Sequence, residues 1–298
     1  MQNKEDWQGV YVVAVTPFEA SGAIDEPSFR LLLETYIADG VDGIIIAGST
    51  GEWYTLEDGE RLRLFEIAVE VVGDRSHIIA GTSAISTTAC TSLTRCAGEI
   101  GCQGAMVLPP PYALPNHREV VAHFSTVAGV GVPVMVYNNP ARTQINLAGE
   151  LLEDIATIDG VVALKDSSKD LYQIAETVRN FRSNLAIFSG LEPYAMPTIL
   201  RGGVGVVSMS ANIIGSTAVD FFRHIESGQI EQAVEIEHKL DRIYAAFYAG
   251  GYGVYVVIKE CMNILGRPGG FPRPPHLPID NKGRKRLTQL MSELGFVE

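Results

Sequence analysis

The sequence predicts a closed (β/α)8 barrel followed by a C-terminal helical extension. Eight short apolar runs rich in β-branched residues recur up to residue 209, amphipathic helical stretches separate them, and the pattern becomes purely helical after residue 215. Runs that are apolar throughout are typical of strands in a parallel sheet that is covered on both faces. Eight strand–helix units in succession favour a closed barrel.

The eight predicted strands are short and are bounded by loop residues. They are YVVAV (11–15), GIIIAG (43–48), HIIAG (77–81), GAMVL (104–108), VPVMVY (132–137), VVALK (161–165), LAIFSG (185–190) and VGVVSM (204–209). An open doubly wound sheet is the competing arrangement, and it usually carries a GxGxxG turn after its first strand. The first strand here runs into TPFEASG, which lacks that turn, so the barrel is favoured.

The stretches between the strands carry helix start signals. Asp25, Ser86 and Asn116 stand where N-caps are expected, and Thr55 with Asp58 resembles a capping box. Helices are predicted at 26–40, 55–73, 87–101, 117–129, 147–158, 169–181, 194–201, 216–228, 230–248, about 252–265 and 284–294. We therefore predict a catalytic barrel domain over residues 1–224 and a helical domain over residues 225–298.

Composition excludes several classes of protein. The chain has 298 residues and a formal net charge of −12, which argues against a protein that binds nucleic acid through a basic face. No apolar run reaches the roughly 18 residues of a membrane helix, and the first ten residues have no signal-peptide core, so we expect a soluble, cytoplasmic protein. The histidines are scattered and the four cysteines fit no zinc pattern, so no metal site is predicted.

Residues that carry chemistry follow several of the predicted strands, at the end where barrel enzymes place their active sites. The strand VVAL runs directly into Lys165, and a lysine among apolar walls loses hydration, which makes its neutral amine accessible for attack on a ketone. Tyr137 is placed to transfer protons. Arg142 has a planar guanidinium group, which can bind a carboxylate through two hydrogen bonds. The glycine-rich GSTGE loop (48–52) offers hydroxyl and N–H groups to a second carboxylate.

Each of these residues also has a structural interpretation. Lys165 would extend to solvent, Tyr137 and Tyr112 would fill gaps in the packing, Arg142 would form a surface ion pair, and GSTGE would be only a turn. What favours a site is that all of them are predicted at one rim of one barrel. Unrelated structural residues have no reason to gather there.

Three motifs in this order resemble the dihydrodipicolinate synthase / N-acetylneuraminate lyase family: GSTGE (48–52), YNNPART (137–143) and ALKDSS (163–168). The resemblance extends over nearly the whole chain. It implies an aldolase-type lyase in which Lys165 forms a Schiff base with pyruvate or a related 2-oxo acid. It also implies a homotetramer built as a dimer of dimers, with no metal or organic cofactor.

The resemblance implies roles for the other site residues. Tyr137 and Ser49 would relay protons at the imine, and Tyr112 would complete the relay from across a dimer contact. Thr50 would help to hold the carboxylate of the 2-oxo acid, and Arg142 would bind the carboxylate of the second substrate. Gly190 and Val207 fall where the family lines its pocket.

The chain departs from the synthase pattern in three places. Ser49 replaces the usual threonine, PPYA replaces a PYYN-like sequence after the fourth strand, and Leu191-Glu192 replaces an acidic pair. The lyase branch binds sugar hydroxyls with acidic residues at that last position, so Glu192 is a candidate substrate ligand. The bulky pair Trp53-Tyr54 would reshape the mouth of the site.

The leading functional hypothesis is the condensation of pyruvate with aspartate semialdehyde, as in 4-hydroxy-tetrahydrodipicolinate synthase. The alternatives on the same lysine are a 2-keto-3-deoxy sugar acid aldolase or dehydratase and a deaminase of a hydroxylated pyrroline carboxylate. A different class of hypothesis is a barrel that binds a phosphate ligand through RGGVG (201–205), or a non-catalytic barrel. The partners expected are small 2-oxo acid and aldehyde substrates, not nucleic acid or membrane.

Overall fold

A computed structural model describes residues 4–297, and these form the predicted closed barrel. Eight parallel strands pair in chain order, and the eighth pairs with the first. The strands are Gly9–Val13 (β1), Gly43–Ile46 (β2), His77–Gly81 (β3), Gly104–Val107 (β4), Val134–Asn138 (β5), Val161–Asp166 (β6), Ala186–Ser189 (β7) and Gly205–Ser208 (β8). Every predicted strand is present, with bounds that differ by up to two residues.

The α-helices lie between the strands and after the last one. They are Glu26–Ala38 (α1), Asp58–Val72 (α2), Thr87–Ile100 (α3), His117–Ala128 (α4), Pro140–Thr143 (α5), Gly149–Ala156 (α6), Leu171–Phe181 (α7), Ala195–Ile199 (α8), Ala211–Ile214 (α9), Ser216–Glu226 (α10), Ile230–Tyr248 (α11), Val254–Ile264 (α12) and Asn281–Glu293 (α13). The one-turn helices α5 and α9 have no counterpart in the sequence-based prediction, because four residues are too few to show a helical period.

Most of the predicted helix starts are confirmed. The side chain accepts a hydrogen bond from the backbone N–H three residues later at Asp25, Ser86 and Asn116. The capping box predicted at Thr55 is wrong. Thr55 ends a short 3-10 turn, and the capping box that starts α2 is formed by Glu57 and Glu60.

The inside of the barrel is a packed apolar core. The aromatic side chains of Trp7, Tyr11 and Phe188 fill it together with aliphatic side chains from the strands. Trp7 requires a glycine on β4, since a Cβ at Gly104 would lie 2.5 Å from the indole ring. Because the interior is filled, space for a ligand is expected at the C-terminal ends of the strands, as is usual for this fold.

The C-terminal helices share a core with the barrel. Val257 of α12 and Leu287 of α13 belong to the same buried cluster as Val10 and Ile44 of the first two strands. The domain boundary predicted at 224/225 falls within the last turn of α10, and the outer limits at residues 1 and 298 lie outside the described residues. The helical segment therefore adjoins the barrel closely enough to contribute to a site on it.

The cysteines and the helix lengths were also considered in the sequence-based prediction. All four cysteines are free thiols, with Cys96 half-buried and the other three buried. Among residues 4–297, no helix combines the length and the apolar character that crossing a membrane requires. The cytoplasmic location remains a prediction.

A buried ion pair connects the GSTGE loop to the C-terminal segment. Glu52 adopts a left-handed backbone conformation (φ 57°) and pairs with Lys259 of α12, and both side chains are fully buried. Lys259 also donates a hydrogen bond of 2.8 Å to the carbonyl oxygen of Phe271, and the backbone N–H of Arg273 donates to Glu52. A charge buried in this way depends on its partner, so the pair fixes the loop against α12.

We expect Lys259→Met to lower the free energy of unfolding by about 3 kcal/mol, because it leaves the Glu52 carboxylate buried without its partner. Urea unfolding followed by circular dichroism measures the change. The double variant Glu52→Gln/Lys259→Met should be more stable than Lys259→Met alone, and Lys285→Met, which changes an exposed lysine, is the matched control. Equal unfolding midpoints for Lys259→Met and the control would contradict the prediction.

Candidate active site

A cavity of about 290 Å³ opens at the C-terminal ends of the strands, and we call it the inner cavity. Its walls come from the loops after β2, β5, β6, β7 and β8, from the end of α11 and from the start of α12. It brings together six of the residues predicted from the sequence: Ser49, Thr50, Tyr137, Arg142, Lys165 and Gly190. The predicted convergence on one rim of the barrel is therefore present.

Lys165 lies near the end of β6 with its side chain buried, at 4% exposure. Burial lowers the pKa of Lys165 to about 7, partly opposed by the negative charge of Glu192. Within the described part of the chain, Lys165 forms no ion pair at 4 Å or less. Its Nζ atom lies 4.0 Å from the ring centroid of Tyr137, the residue that faces it across the β5–β6 register. A large fraction of the amine is therefore neutral near pH 7 and free to react.

Lys259 is a useful contrast, because it is equally buried but has partners. Burial lowers the pKa of Lys259 to about 8, and the carboxylate of Glu52 opposes the change. Its Nζ is held by Glu52 and by the Phe271 carbonyl oxygen, away from the inner cavity. Of these two buried lysines, only Lys165 has both a neutral amine and space in front of it.

Tyr137 stands beside the amine with an organised hydroxyl. The Oη atom accepts a hydrogen bond of 2.8 Å from Nδ2 of Asn139, and burial raises the pKa of Tyr137. The Oγ atom of Ser167, which also lines the cavity, is buried and lies close enough to the Tyr137 hydroxyl to lower the pKa of Tyr137, against the larger effect of burial. Asn139 and Ser167 therefore both act on the hydroxyl that stands beside the amine.

Gly190 leaves the space that Lys165 needs. A Cβ atom at this position would lie 2.1 Å from Oγ of Ser167 and 3.1 Å from Cε of Lys165. Its backbone N–H donates a 2.7 Å hydrogen bond to the carbonyl oxygen of Asp166, which holds the two strand ends together. Any side chain here would displace Ser167 and crowd Lys165, so glycine is required by contact and not by an unusual φ angle.

The GSTGE loop gives the cavity its hydroxyl groups. Thr50 is buried, while Ser49 is partly exposed and lies close enough to interact with the hydroxyl of Tyr255. Burial raises the pKa of Tyr255 to about 12, so this group stays protonated near neutral pH. The guanidinium carbon of Arg142 lies 5.9 Å from the ring centroid of Tyr255, at the mouth of the cavity.

Sequence reasoning missed the contribution of the C-terminal helices. Tyr248 at the end of α11 and Val254 and Tyr255 at the start of α12 line the inner cavity. These residues belong to an ordinary helical pattern far along the chain, and no motif marks them. Asn139 and Ser167 were also missed, although they lie inside the motifs YNNPART and ALKDSS.

Two predicted substrate ligands do not line the inner cavity. Oε1 of Glu192 accepts hydrogen bonds from Oγ of Ser208 and from the backbone N–H groups of Met209 and Ser210, so the side chain stabilises the turn after β8. Val207 is fully buried in the barrel core. The substrate contact predicted for Glu192 remains a prediction, and within the chain its effect on the site is the negative charge that it places near Lys165.

Tyr112 occupies a different place from the other predicted catalytic residues. It lies in the loop after β4 with 91% of its surface exposed, and it does not line the inner cavity of its own chain. A catalytic contact by Tyr112 therefore needs a second copy of the chain. That contact remains a prediction.

The RGGVG segment (201–205) is not placed to bind a phosphate beside the lysine. It leads into the N-terminal end of β8, at the opposite end of the barrel from the inner cavity. Its glycines serve close packing, since a Cβ atom at Gly205 would lie 2.6 Å from the ring of Phe188. The sequence-based phosphate-site hypothesis is therefore not supported by this geometry.

Comparison with known proteins gives a match over nearly the whole chain. The model of the dihydrodipicolinate synthetase family matches residues 6–294. The chain belongs to this family. It is 43% identical to an uncharacterized DapA-like lyase of Rhizobium meliloti, over 97% of this chain and 98% of the relative. Family members are aldolase-type lyases, and this chain is accordingly an enzyme of that kind.

Two further similarities concern named synthases of the family. The 4-hydroxy-tetrahydrodipicolinate synthase 2 of Halalkalibacterium halodurans is 32% identical, over 97% of this chain and 99% of the relative. The crystal structure of a chloride-inhibited dihydrodipicolinate synthase from Acinetobacter baumannii, complexed with pyruvate, superposes with a TM-score of 0.91. That match covers 97% of this chain and 99% of the other, at 26% identity.

We expect Lys165 to react with a carbonyl reagent at an unusually low pH, because only the neutral amine attacks and its pKa lies at about 7. Reductive methylation with formaldehyde, followed by peptide mass analysis from pH 5 to 10, measures the rate. The rate at Lys165 should rise with pH and level off above about pH 7, with exposed Lys285 as the internal reference. A rate that is still rising steeply at pH 9 would contradict the prediction, since an ordinary lysine has a pKa of about 10.4.

Proposed function

We propose that the protein is a Schiff-base lyase or synthase that acts on pyruvate or a related 2-oxo acid through Lys165. The observation that carries this proposal is the buried, unpaired amine with a pKa of about 7 that faces Tyr137 at the end of β6. The A. baumannii synthase of similar fold was solved in complex with pyruvate, which supports the choice of 2-oxo acid.

The inner cavity has groups for each part of a 2-oxo acid. The amine of Lys165 attacks the ketone carbon, and loss of water gives an iminium ion. Thr50, Ser49 and Ser167 present hydroxyl groups to the carboxylate. The iminium draws electrons from the adjacent carbon, so that a proton leaves it and an enamine forms. Tyr137, organised by Asn139, is placed to transfer that proton.

In the synthetic direction, the enamine carbon attacks an aldehyde and a new carbon–carbon bond forms. The aldehyde oxygen takes up a proton, and water then hydrolyses the iminium and releases Lys165. The names of the synthase relatives and the position of Arg142 make aspartate semialdehyde the first candidate for the aldehyde. A sugar acid aldolase or dehydratase and a pyrroline-carboxylate deaminase would use the same lysine with a different second substrate.

We also propose a homotetramer made of two dimers, in which Tyr112 of one copy approaches the inner cavity of the next. The high exposure of Tyr112 and of Leu114, at 58%, supports an interface at this loop. Covering these side chains removes apolar surface from water, which favours association.

Incubation with pyruvate and sodium borohydride should attach a reduced pyruvyl group to Lys165, because hydride reduction makes the imine permanent. Mass spectrometry of the intact chain and of its peptides locates the group. Lys165→Met should abolish the adduct and the turnover while the far-UV circular dichroism spectrum is unchanged. An adduct on Lys169 or Lys259, or no adduct at all, would contradict the proposal.

Arg142→Ala should raise KM for succinic semialdehyde about tenfold and leave KM for butanal nearly unchanged, since only the first aldehyde carries a carboxylate. Arg142→Lys keeps the charge without the two-pronged geometry and should have an intermediate effect. Initial rates of pyruvate consumption provide the measurement. Equal changes for both aldehydes would remove Arg142 from the substrate-binding role.

A further inference from the structure

Lys169 is a further cation of the inner cavity. It lies in the loop after β6, four residues beyond Lys165, and it lines the cavity together with Arg142 of α5. Within the described part of the chain, neither Arg142 nor Lys169 forms an ion pair at 4 Å or less. Both cations are therefore available to an anion that enters the cavity.

The backbone of Lys169 has a conformation that a lysine seldom adopts. Its φ angle is +65°, in the left-handed region, where a Cβ atom is disfavoured and glycine is the usual residue. Backbone strain of this kind occurs preferentially at active sites and ligand-binding sites. The side chain extends over the ring of Tyr248, which also lines the cavity, with Nζ 4.8 Å from the ring centroid. The strained position thus carries a positive charge to the wall of the cavity.

The charged side chains that line the inner cavity all carry cationic groups. Among residues 4–297 they are Arg142, Lys165 and Lys169, and no aspartate or glutamate lines the cavity. The buried carboxylates of Asp166 and Glu192 accept hydrogen bonds from backbone N–H groups instead. In a chain with a net charge of −12, such a concentration of positive charge favours an anionic ligand.

The number of cations indicates how much negative charge the second substrate carries. Once Lys165 has become an iminium ion, the carboxylate of the bound 2-oxo acid balances its charge. Arg142 and Lys169 remain, and they lie against different rings, those of Tyr255 and Tyr248, so each is placed for a separate anion. An aldehyde with one carboxylate leaves one of these cations without a partner, and that cation would repel the ammonium group of aspartate semialdehyde.

We propose that Lys169 binds a carboxylate of the second substrate, which is an aldehyde with two carboxylates and no amino group. Arg142 binds the other carboxylate. This inference rests on the proposed function, because the aldehyde carbon must reach the enamine formed on Lys165. The enamine carbon of pyruvate bonds to the aldehyde carbon, the aldehyde oxygen gains a proton, and hydrolysis of the iminium ion releases a 4-hydroxy-2-oxo acid with two further carboxylates.

The first experiment compares two aldehydes that differ by one carboxylate, each with saturating pyruvate. They are succinic semialdehyde and 2-(2-oxoethyl)butanedioate, in which a carboxymethyl group replaces one hydrogen beside the carboxylate of succinic semialdehyde. The kcat/KM for the dicarboxylate should be higher by about tenfold, because it gains a charge-assisted hydrogen bond. An equal or higher kcat/KM for succinic semialdehyde or for aspartate semialdehyde would overturn the inference.

The second experiment removes the charge of Lys169. Lys169→Gln should raise KM for the dicarboxylate about tenfold and KM for succinic semialdehyde far less, while Lys169→Arg keeps the charge and should retain most of the affinity. Lys239→Gln is the matched control, since Lys239 also lies over a ring, with Nζ 5.5 Å from the centroid of Phe296, but does not line the cavity. Equal changes in KM for both aldehydes, or none, would contradict the role of Lys169.

Lys169→Gly distinguishes a binding role from a structural one. Glycine relieves the left-handed backbone, so the variant should melt at the wild-type temperature or slightly above it while KM for the dicarboxylate rises about tenfold. Thermal unfolding followed by circular dichroism gives Tm, and initial rates give KM. A lower Tm with an unchanged KM would assign Lys169 a structural role and overturn the inference.

The borohydride experiment on the wild-type protein separates the two levels of failure. An adduct on Lys165 together with a preference for an aldehyde that has one carboxylate contradicts only the dicarboxylate class. Absence of the adduct contradicts the proposed function, and the inference about Lys169 is lost with it.

Discussion

The removal of water from one amine is the constraint on which the rest of the site depends. Lys165 stays partly neutral near pH 7 because its side chain is buried and because no carboxylate of residues 4–297 pairs with it. The absence of a side chain at Gly190 leaves room for the lysine, and the β5–β6 register sets Tyr137 beside it. The negative charge of Glu192 limits how far the pKa falls. The reactivity of the amine is therefore a balance between desolvation and one nearby carboxylate.

The C-terminal helices act on this site in two ways. They supply Tyr248, Val254 and Tyr255 to its mouth, and they hold the GSTGE loop through the buried pair of Glu52 and Lys259. The glutamate of the motif thus has a structural role, while the two hydroxyl residues before it face the cavity. The GSTGE motif is continuous in the sequence, but its residues have two roles in the structure. Ser49 and Thr50 line the cavity, and Glu52 anchors the loop.

The sequence predicts the barrel and the lysine well, because strand periodicity and the residues at strand ends are local properties of the chain. It predicts Ser49, Thr50, Tyr137, Arg142 and Gly190 at the rim for the same reason. It does not show the hydrogen bonds of Glu192, because an acidic residue after a strand looks alike whether it faces a ligand or the backbone N–H groups of the next turn. The sequence does not predict Tyr255 at the site, because the position of Tyr255 depends on how α12 packs on the barrel. Tyr255 follows Lys165 by about ninety residues.

The strand ends hold Lys165 and Tyr137, while the C-terminal helices supply Tyr248 and Tyr255 to the mouth of the cavity. This separation has a consequence for which positions tolerate replacement. The positions that govern bond making tolerate almost no replacement, as the crowding at Gly190 illustrates. The rings that face the entrance stand on helices outside the barrel, so their exchange leaves the strand framework intact. A replacement of Tyr248 or Tyr255 therefore alters the entrance while the strand ends that hold Lys165 and Tyr137 keep their arrangement.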